Sequence, residues 1–136
     1  METKDFIVAF EGCTLPPQSF SHEAHIRLAW LYLQEHSAPV TWTKVSEGLK
    51  RYTHFLGAEE KYHETITGTY VLLIHERIES IGKGHTWEDF IESNPDLFDR
   101  EKPIIQQYYH QNTLSSDLAR KAFVFPDKHM TNSQKS

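Results

Sequence analysis

The chain has 136 residues, a length that fits one domain with a single hydrophobic core. Its net charge of −5 excludes a general attraction to nucleic acid or anionic lipid, and no apolar run approaches the roughly 20 residues that cross a bilayer. The aromatic content of 12% favours a folded globular protein over a disordered chain.

The first predicted elements are two helices joined by a proline-containing segment. Residues 4–11 place aromatic side chains one helical turn apart and predict a short helix, which Pro16-Pro17 separates from the next element. Ser19 or Ser21 can cap the second helix, which is strongly amphipathic and runs to about His36. The sequence therefore predicts two helices before residue 37.

A third helix is predicted after a turn at Ala38-Pro39. Thr41 or Thr43 can cap it, and Gly57 would end it. The residues between them repeat apolar side chains at helical spacing, which predicts that one face of this helix packs on the core.

The stretch from residue 59 to residue 81 is the longest periodic segment. Residues 66–71 are rich in β-branched side chains and suit a strand by propensity, but the length and the flanking pattern favour a helix. Gly68 weakens that helix by about 1 kcal/mol relative to alanine. Gly82 and Gly84 are predicted to end it.

Three short helices are predicted in the last third of the chain. Thr86 begins a capped helix that stops before Asn94-Pro95. Asp99 can cap a helix that contains Ile104 and the following apolar residues. Ser115 can cap a last helix before the chain reaches Pro126.

Together these elements predict an all-α protein, a compact single-domain bundle of five to seven helices. The predicted domain covers residues 1–127, and residues 128–136 are polar and unpatterned, which predicts a flexible tail. The single cysteine, Cys13, and the lack of a basic and then apolar segment at the N-terminus predict a cytoplasmic protein.

The most informative polar residues are three of the nine histidines. His22 and His25 stand three residues apart at the predicted start of the second helix, so they project from one face with Cβ atoms roughly 5–6 Å apart. The positive end of the helix dipole there favours neutral imidazole, the form that binds metal. His63 lies near the start of the longest helix, which must pack near the second if the domain has one core.

Three imidazoles that converge are the minimum for a three-nitrogen metal centre, and the predicted cofactor is a divalent transition metal, zinc or iron. Glu64 and Glu11 are the predicted catalytic carboxylates, as a fourth ligand, as a base on metal-bound water or as acceptors that orient a histidine. Such a centre would carry out hydrolytic or oxidative chemistry on a small molecule.

The helix face that follows His63 supports a pocket near this site. It continues through Thr67, Tyr70 and Ile74, a mixed polar and apolar stripe. Stripes of this kind usually pack against another helix, so a pocket wall and a helix contact both stay open.

Two other hypotheses use the same residues. An HxxH pair is short and arises easily by chance among nine histidines, so the three histidines can be ordinary structural residues of a non-enzymatic interaction or regulatory module. Such a module would form a homodimer or bind a small apolar ligand between its helices. The third hypothesis is metal-free acid–base catalysis by the histidines with a neighbouring carboxylate. Neither a nucleic-acid partner nor a membrane partner is predicted.

Five segments of the chain together carry a resemblance. They are CTLP at 13–16, FSHEAHIRLAWLYL at 20–33, KYHETIT at 61–67, NPDL at 94–97 and SSDLAR at 115–120. With them the chain resembles a family of small bacterial all-helical proteins that has no established activity. The resemblance implies a bacterial, single-domain protein whose signature includes the three histidines, and it transfers no function.

Overall fold

The computed structural model describes residues 2–128, and within them all regular secondary structure is helical. Seven α-helices follow one another within this described range: α1 (Thr3–Glu11), α2 (His22–Glu35), α3 (Ala38–Phe55), α4 (Glu64–Ile81), α5 (Trp87–Ser93), α6 (Gln111–Leu114) and α7 (Asp117–Lys121). The connections contain four 3-10 helices, at Pro17–Ser19, Glu59–Lys61, Pro95–Phe98 and Ile104–Gln107. The predicted all-α fold with five to seven helices is confirmed. The predicted tail lies outside the described residues from position 129 onward.

Helices α2, α3 and α4 form the centre of the molecule, where each packs on the other two. Helix α1 contacts α3, and the short α7 contacts α4. Fully buried side chains from several helices meet in this core, among them Phe10, Ile26 and Ile74. Burial of each stabilises the fold by about 1.5–3 kcal/mol relative to exposure. None of the helices in the described range is long and apolar enough to span a bilayer.

The start of α3 differs from the prediction. Ser37, not Thr41 or Thr43, caps the helix, because its hydroxyl accepts the backbone N–H of Val40 at 3.4 Å. The turn predicted at Ala38-Pro39 is wrong, since both residues lie in the first helical turn. The first N–H groups of a helix have no acceptor within the helix, so proline loses no hydrogen bond there.

Helix α4 begins five residues later than predicted. Glu59–Lys61 forms a separate 3-10 helix, and the imidazole of His63 caps α4 by accepting the backbone N–H of Ile66. The β-branched segment 66–71 is helical, as predicted, and Gly82 ends the helix with a φ of +88°.

Two predicted caps in the last third of the chain are wrong. Asp99 accepts the backbone N–H groups of Glu101 and Lys102 and so closes a turn. Pro103 follows, and the segment Ile104–Gln107, where an α-helix was predicted, forms a 3-10 helix. Ser115 follows α6, and its neighbour Ser116 caps α7. The predicted cap at Thr86 is confirmed, with a complete capping box to Asp89.

The segment after α7 returns to the first turn of α4. The buried hydroxyl of Thr65 donates to the carbonyl of Ala122 at 2.9 Å and accepts the N–H of Val124 at 3.1 Å. A further bond to this segment comes from the hydroxyl of Tyr109, which donates to the carbonyl of Val124. Polar bonds thus attach this segment, which has no helix of its own, to the core helices.

Candidate functional site

A cavity of about 400 Å³ lies between α2, α3 and α4. The fold produces it where the N-terminal ends of α2 and α4 meet the C-terminal half of α3. Most of its walls are hydrophobic, with contributions from all three helices: Ile26, Leu28, Val45, Leu49, Ile66 and Val71. The predicted stripe of Thr67, Tyr70 and Ile74 also lines it, which confirms that this face of α4 forms a pocket wall.

His22, His25 and His63 all line this one cavity. The first two project from the first turn of α2, and His63 stands directly before α4. Within residues 2–128, however, no group of three or more His, Cys, Asp or Glu side chains is arranged to hold a metal ion. The zinc or iron centre therefore stays a prediction.

Both ring nitrogens of His63 take part in hydrogen bonds. Nδ1 accepts the backbone N–H of Ile66 at 3.1 Å, so the ring proton of the neutral imidazole is on Nε2. Nε2 then donates to the carbonyl of Leu114 at 2.7 Å. Binding a metal through His63 would break at least one of these bonds.

His22 is held at one nitrogen only. Its Nε2 donates to the carbonyl of Leu97 at 3.0 Å, and its ring meets the ring of Tyr70 edge-on with centroids 5.5 Å apart. These contacts fix the ring at the cavity wall and leave Nδ1 as the nitrogen with no protein partner in the described range.

His25 differs from the other two because the described residues offer its ring no hydrogen bond. Its ring stands against Phe20 with centroids 3.9 Å apart. Burial among protein atoms lowers the pKa of His25 to about 4, and the charges of His22 and Arg100 add to this effect. His25 nevertheless has the solvent-accessible surface of an exposed residue. Part of that surface faces the cavity, which solvent can enter. At neutral pH the ring is uncharged.

Glu64 lies outside the cavity lining, in a separate open groove next to α3. Its carboxylate accepts hydrogen bonds from Trp42 Nε1 and Ser46 Oγ, both at 2.9 Å, and from the hydroxyl of Tyr62. Burial alone would raise the pKa of Glu64, but these three bonds outweigh it and hold the pKa below its ordinary value. Such a carboxylate is a weak base, and its visible effect is to join α4 to α3.

Glu11 also lies outside the cavity lining. It is the last residue of α1, and its carboxylate accepts the hydroxyl of Tyr32 at 2.6 Å. Burial and this bond raise the pKa of the Tyr32 hydroxyl, so the tyrosine remains a donor. The catalytic roles of Glu11 and Glu64 stay predictions.

The charged residue of the described lining was not predicted from the sequence. Lys61, an exposed residue at the end of the 3-10 helix before His63, lines the cavity. Its place two residues before His63 was the available signal, but a lysine among glutamates resembles any solvated surface position.

No family model, curated protein or solved structure matches this chain. The resemblance to small bacterial helical proteins, and the bacterial source it implies, stays a prediction.

Proposed function

We propose that the protein binds a small, largely apolar molecule in the cavity between α2, α3 and α4. The observation that carries this proposal is the cavity itself, about 400 Å³ in volume with predominantly hydrophobic walls. Small-molecule sites typically have volumes of roughly 300–1,000 Å³, apolar walls and a few convergent polar groups. In the described structure, the ring of His25 and Nδ1 of His22 supply such groups.

His25 is the group best suited to orient the ligand. An uncharged imidazole offers one donor and one acceptor, and the described residues occupy neither on His25. The adjoining ring of Phe20 gives an aromatic surface beside it. A ligand with one polar group and an apolar body would therefore satisfy both kinds of wall.

Ligand binding ranks ahead of the metal centre for an energetic reason. A metal at His22, His25 and His63 would require His63 to give up its bond to Leu114 or its cap on α4. A small molecule needs no such change. The proposal assigns binding and no reaction, and a homodimer stays a prediction.

The test is a comparison of two tryptophan substitutions on α4. Ile66 lines the cavity and is half-buried, whereas Leu72 on the same helix is exposed and lies outside the lining. We expect octan-1-ol to bind the native protein, and Ile66→Trp to weaken that binding at least about tenfold because the indole occupies the cavity. Leu72→Trp should bind octan-1-ol like the native protein. Isothermal titration calorimetry measures all three affinities.

Thermal unfolding of each variant serves as the folding control. The proposal fails if the native protein shows no saturable binding of octan-1-ol, or if a folded Ile66→Trp binds it as tightly as Leu72→Trp does.

A further inference from the structure

The charge of the cavity lining differs from that of the chain. The whole sequence has 19 acidic and 14 basic residues, yet the lining contains no Asp or Glu from the described part of the chain. Lys61 is the one Lys or Arg that residues 2–128 contribute to it. An acidic protein thus presents a cationic cavity.

The ammonium group of Lys61 is not neutralised by a neighbouring carboxylate in the described structure. Among residues 2–128, Arg77 forms an ion pair with Asp96, and the imidazoles of His54 and His85 lie next to Glu59 and Asp89. Glu64, three positions after Lys61, lies in the separate groove next to α3, where Trp42 and Ser46 donate hydrogen bonds to its carboxylate. The positive charge of Lys61 is therefore available to a molecule in the cavity.

A second cation acts on His25. Arg100 lies close enough to His25 for its charge to disfavour the protonated form of that imidazole. Because Lys61 lines the cavity and none of the described carboxylates does, the lining favours anions over cations.

From this arrangement we infer that the ligand is an amphipathic monocarboxylic acid whose carboxylate binds Lys61. Its hydrocarbon body lies along the apolar walls, and Lys61 Nζ donates a charge-assisted hydrogen bond to the carboxylate. The uncharged ring of His25 can donate a second. The inference rests on the proposed function and adds the chemical class of the ligand to it.

Three probes of equal chain length and different charge test the inference: octanoate, octan-1-ol and octylammonium. We expect octanoate to bind the native protein about three- to fivefold more tightly than octan-1-ol, and octylammonium to bind most weakly. Lys61→Met keeps the apolar stem and removes the charge, so it should abolish the advantage of octanoate and leave octan-1-ol unchanged. Lys4→Met, on α1 and outside the lining, is the matched control and should leave all three affinities unchanged.

The outcomes separate this inference from the proposed function. Equal binding of octanoate and octan-1-ol by the native protein would overturn the inference and leave the proposed function standing. An octanoate advantage that survives in Lys61→Met would overturn the assignment to Lys61. If neither octanoate nor octan-1-ol binds, both the inference and the proposed function fail.

Discussion

At the scale of single residues, His63 shows how one imidazole can join distant parts of the chain. Helix caps are usually Ser, Thr, Asp or Asn, whose short side chains reach only the local backbone. The ring of His63 caps α4 through Nδ1 and reaches Leu114, 51 residues further along, through Nε2. It therefore ties the start of α4 to the end of α6.

Two substitutions of His63 should destabilise the fold to different extents. We expect His63→Ala to lower the free energy of unfolding by about 2 kcal/mol, because it removes the cap and leaves the Leu114 carbonyl without its donor. His63→Asn retains a capping oxygen but cannot reach Leu114, so its loss should be about half as large. Urea denaturation followed by circular dichroism measures both. His54→Ala, at an exposed position, is the control and should change stability by less than about 0.5 kcal/mol; equal stability of His63→Ala and His54→Ala would contradict the two-bond role.

His25 should make stability depend on pH in the acidic range. Its pKa is about 4 in the folded protein and near the ordinary value of 6.5 in the unfolded chain, so the unfolded state binds more protons between these values. Stability should therefore be complete above pH 6.5 and fall as the pH decreases towards 4. Because solvent reaches part of the ring, we expect this residue to account for only about 1 kcal/mol.

The measurement is the difference between the native protein and His25→Gln in urea unfolding at several pH values. The native protein should lose stability more steeply than His25→Gln from pH 6.5 to 4, and parallel curves would count against a neutral His25.

At the scale of elements, the contact between α3 and α4 depends on the absence of a side chain at Gly68. A Cβ atom there would lie 2.2 Å from Cζ2 of Trp42, far inside van der Waals contact. The same indole donates its N–H to Glu64 in the first turn of α4. The glycine that weakens α4 as an isolated helix is thus what allows Trp42 to pack against it.

Gly68→Ala tests which effect dominates. Alanine adds about 1 kcal/mol of helix propensity, but the clash with a half-buried indole costs more, so we expect a net loss of about 2 kcal/mol in the free energy of unfolding. Ser80→Ala, at an exposed position of the same helix, should be neutral or slightly stabilising. Combining Gly68→Ala with Trp42→Phe makes room for the methyl group, so the double variant should lose less than the sum of the single changes. Strict additivity in thermal unfolding would show that the two residues are not coupled.

Element boundaries were less predictable from the sequence than the elements themselves. Ser37 and Thr41 are both suitable caps, and the choice depends on tertiary packing, which buries Thr41 completely in the core. The late start of α4 has a related cause, because the hydroxyl of Tyr62 donates to Glu64 and lies 2.7 Å from the hydroxyl of Ser46 on α3. Local patterns contain neither fact.

At the scale of the whole molecule, the fold class followed from helical periodicity, which survives in any packing arrangement. That the three histidines lie near one another could also be predicted from the sequence, since all three were assigned to the starts of helices that share one core. The hydrogen-bond partners of His22 and His63 could not be predicted, because Leu97 and Leu114 contribute only backbone carbonyls, which leave no trace in the side-chain pattern. The place of Lys61 in the cavity lining could not be predicted either, because the net charge of the chain is negative and gives no sign of a local positive charge.

The return of the last described segment to α4 has a consequence for biosynthesis. Thr65 is fully buried, and its hydroxyl donates to the carbonyl of Ala122, which is translated 57 residues later. At about 5–20 residues per second a ribosome needs roughly 3 to 11 s to reach it. Once α4 has been completed at Ile81, the three central helices can associate, but the first turn of α4 lacks its partner for the Thr65 hydroxyl until Ala122 is made. A nascent chain of this protein therefore contains all three central helices before it contains the segment that closes the first turn of α4.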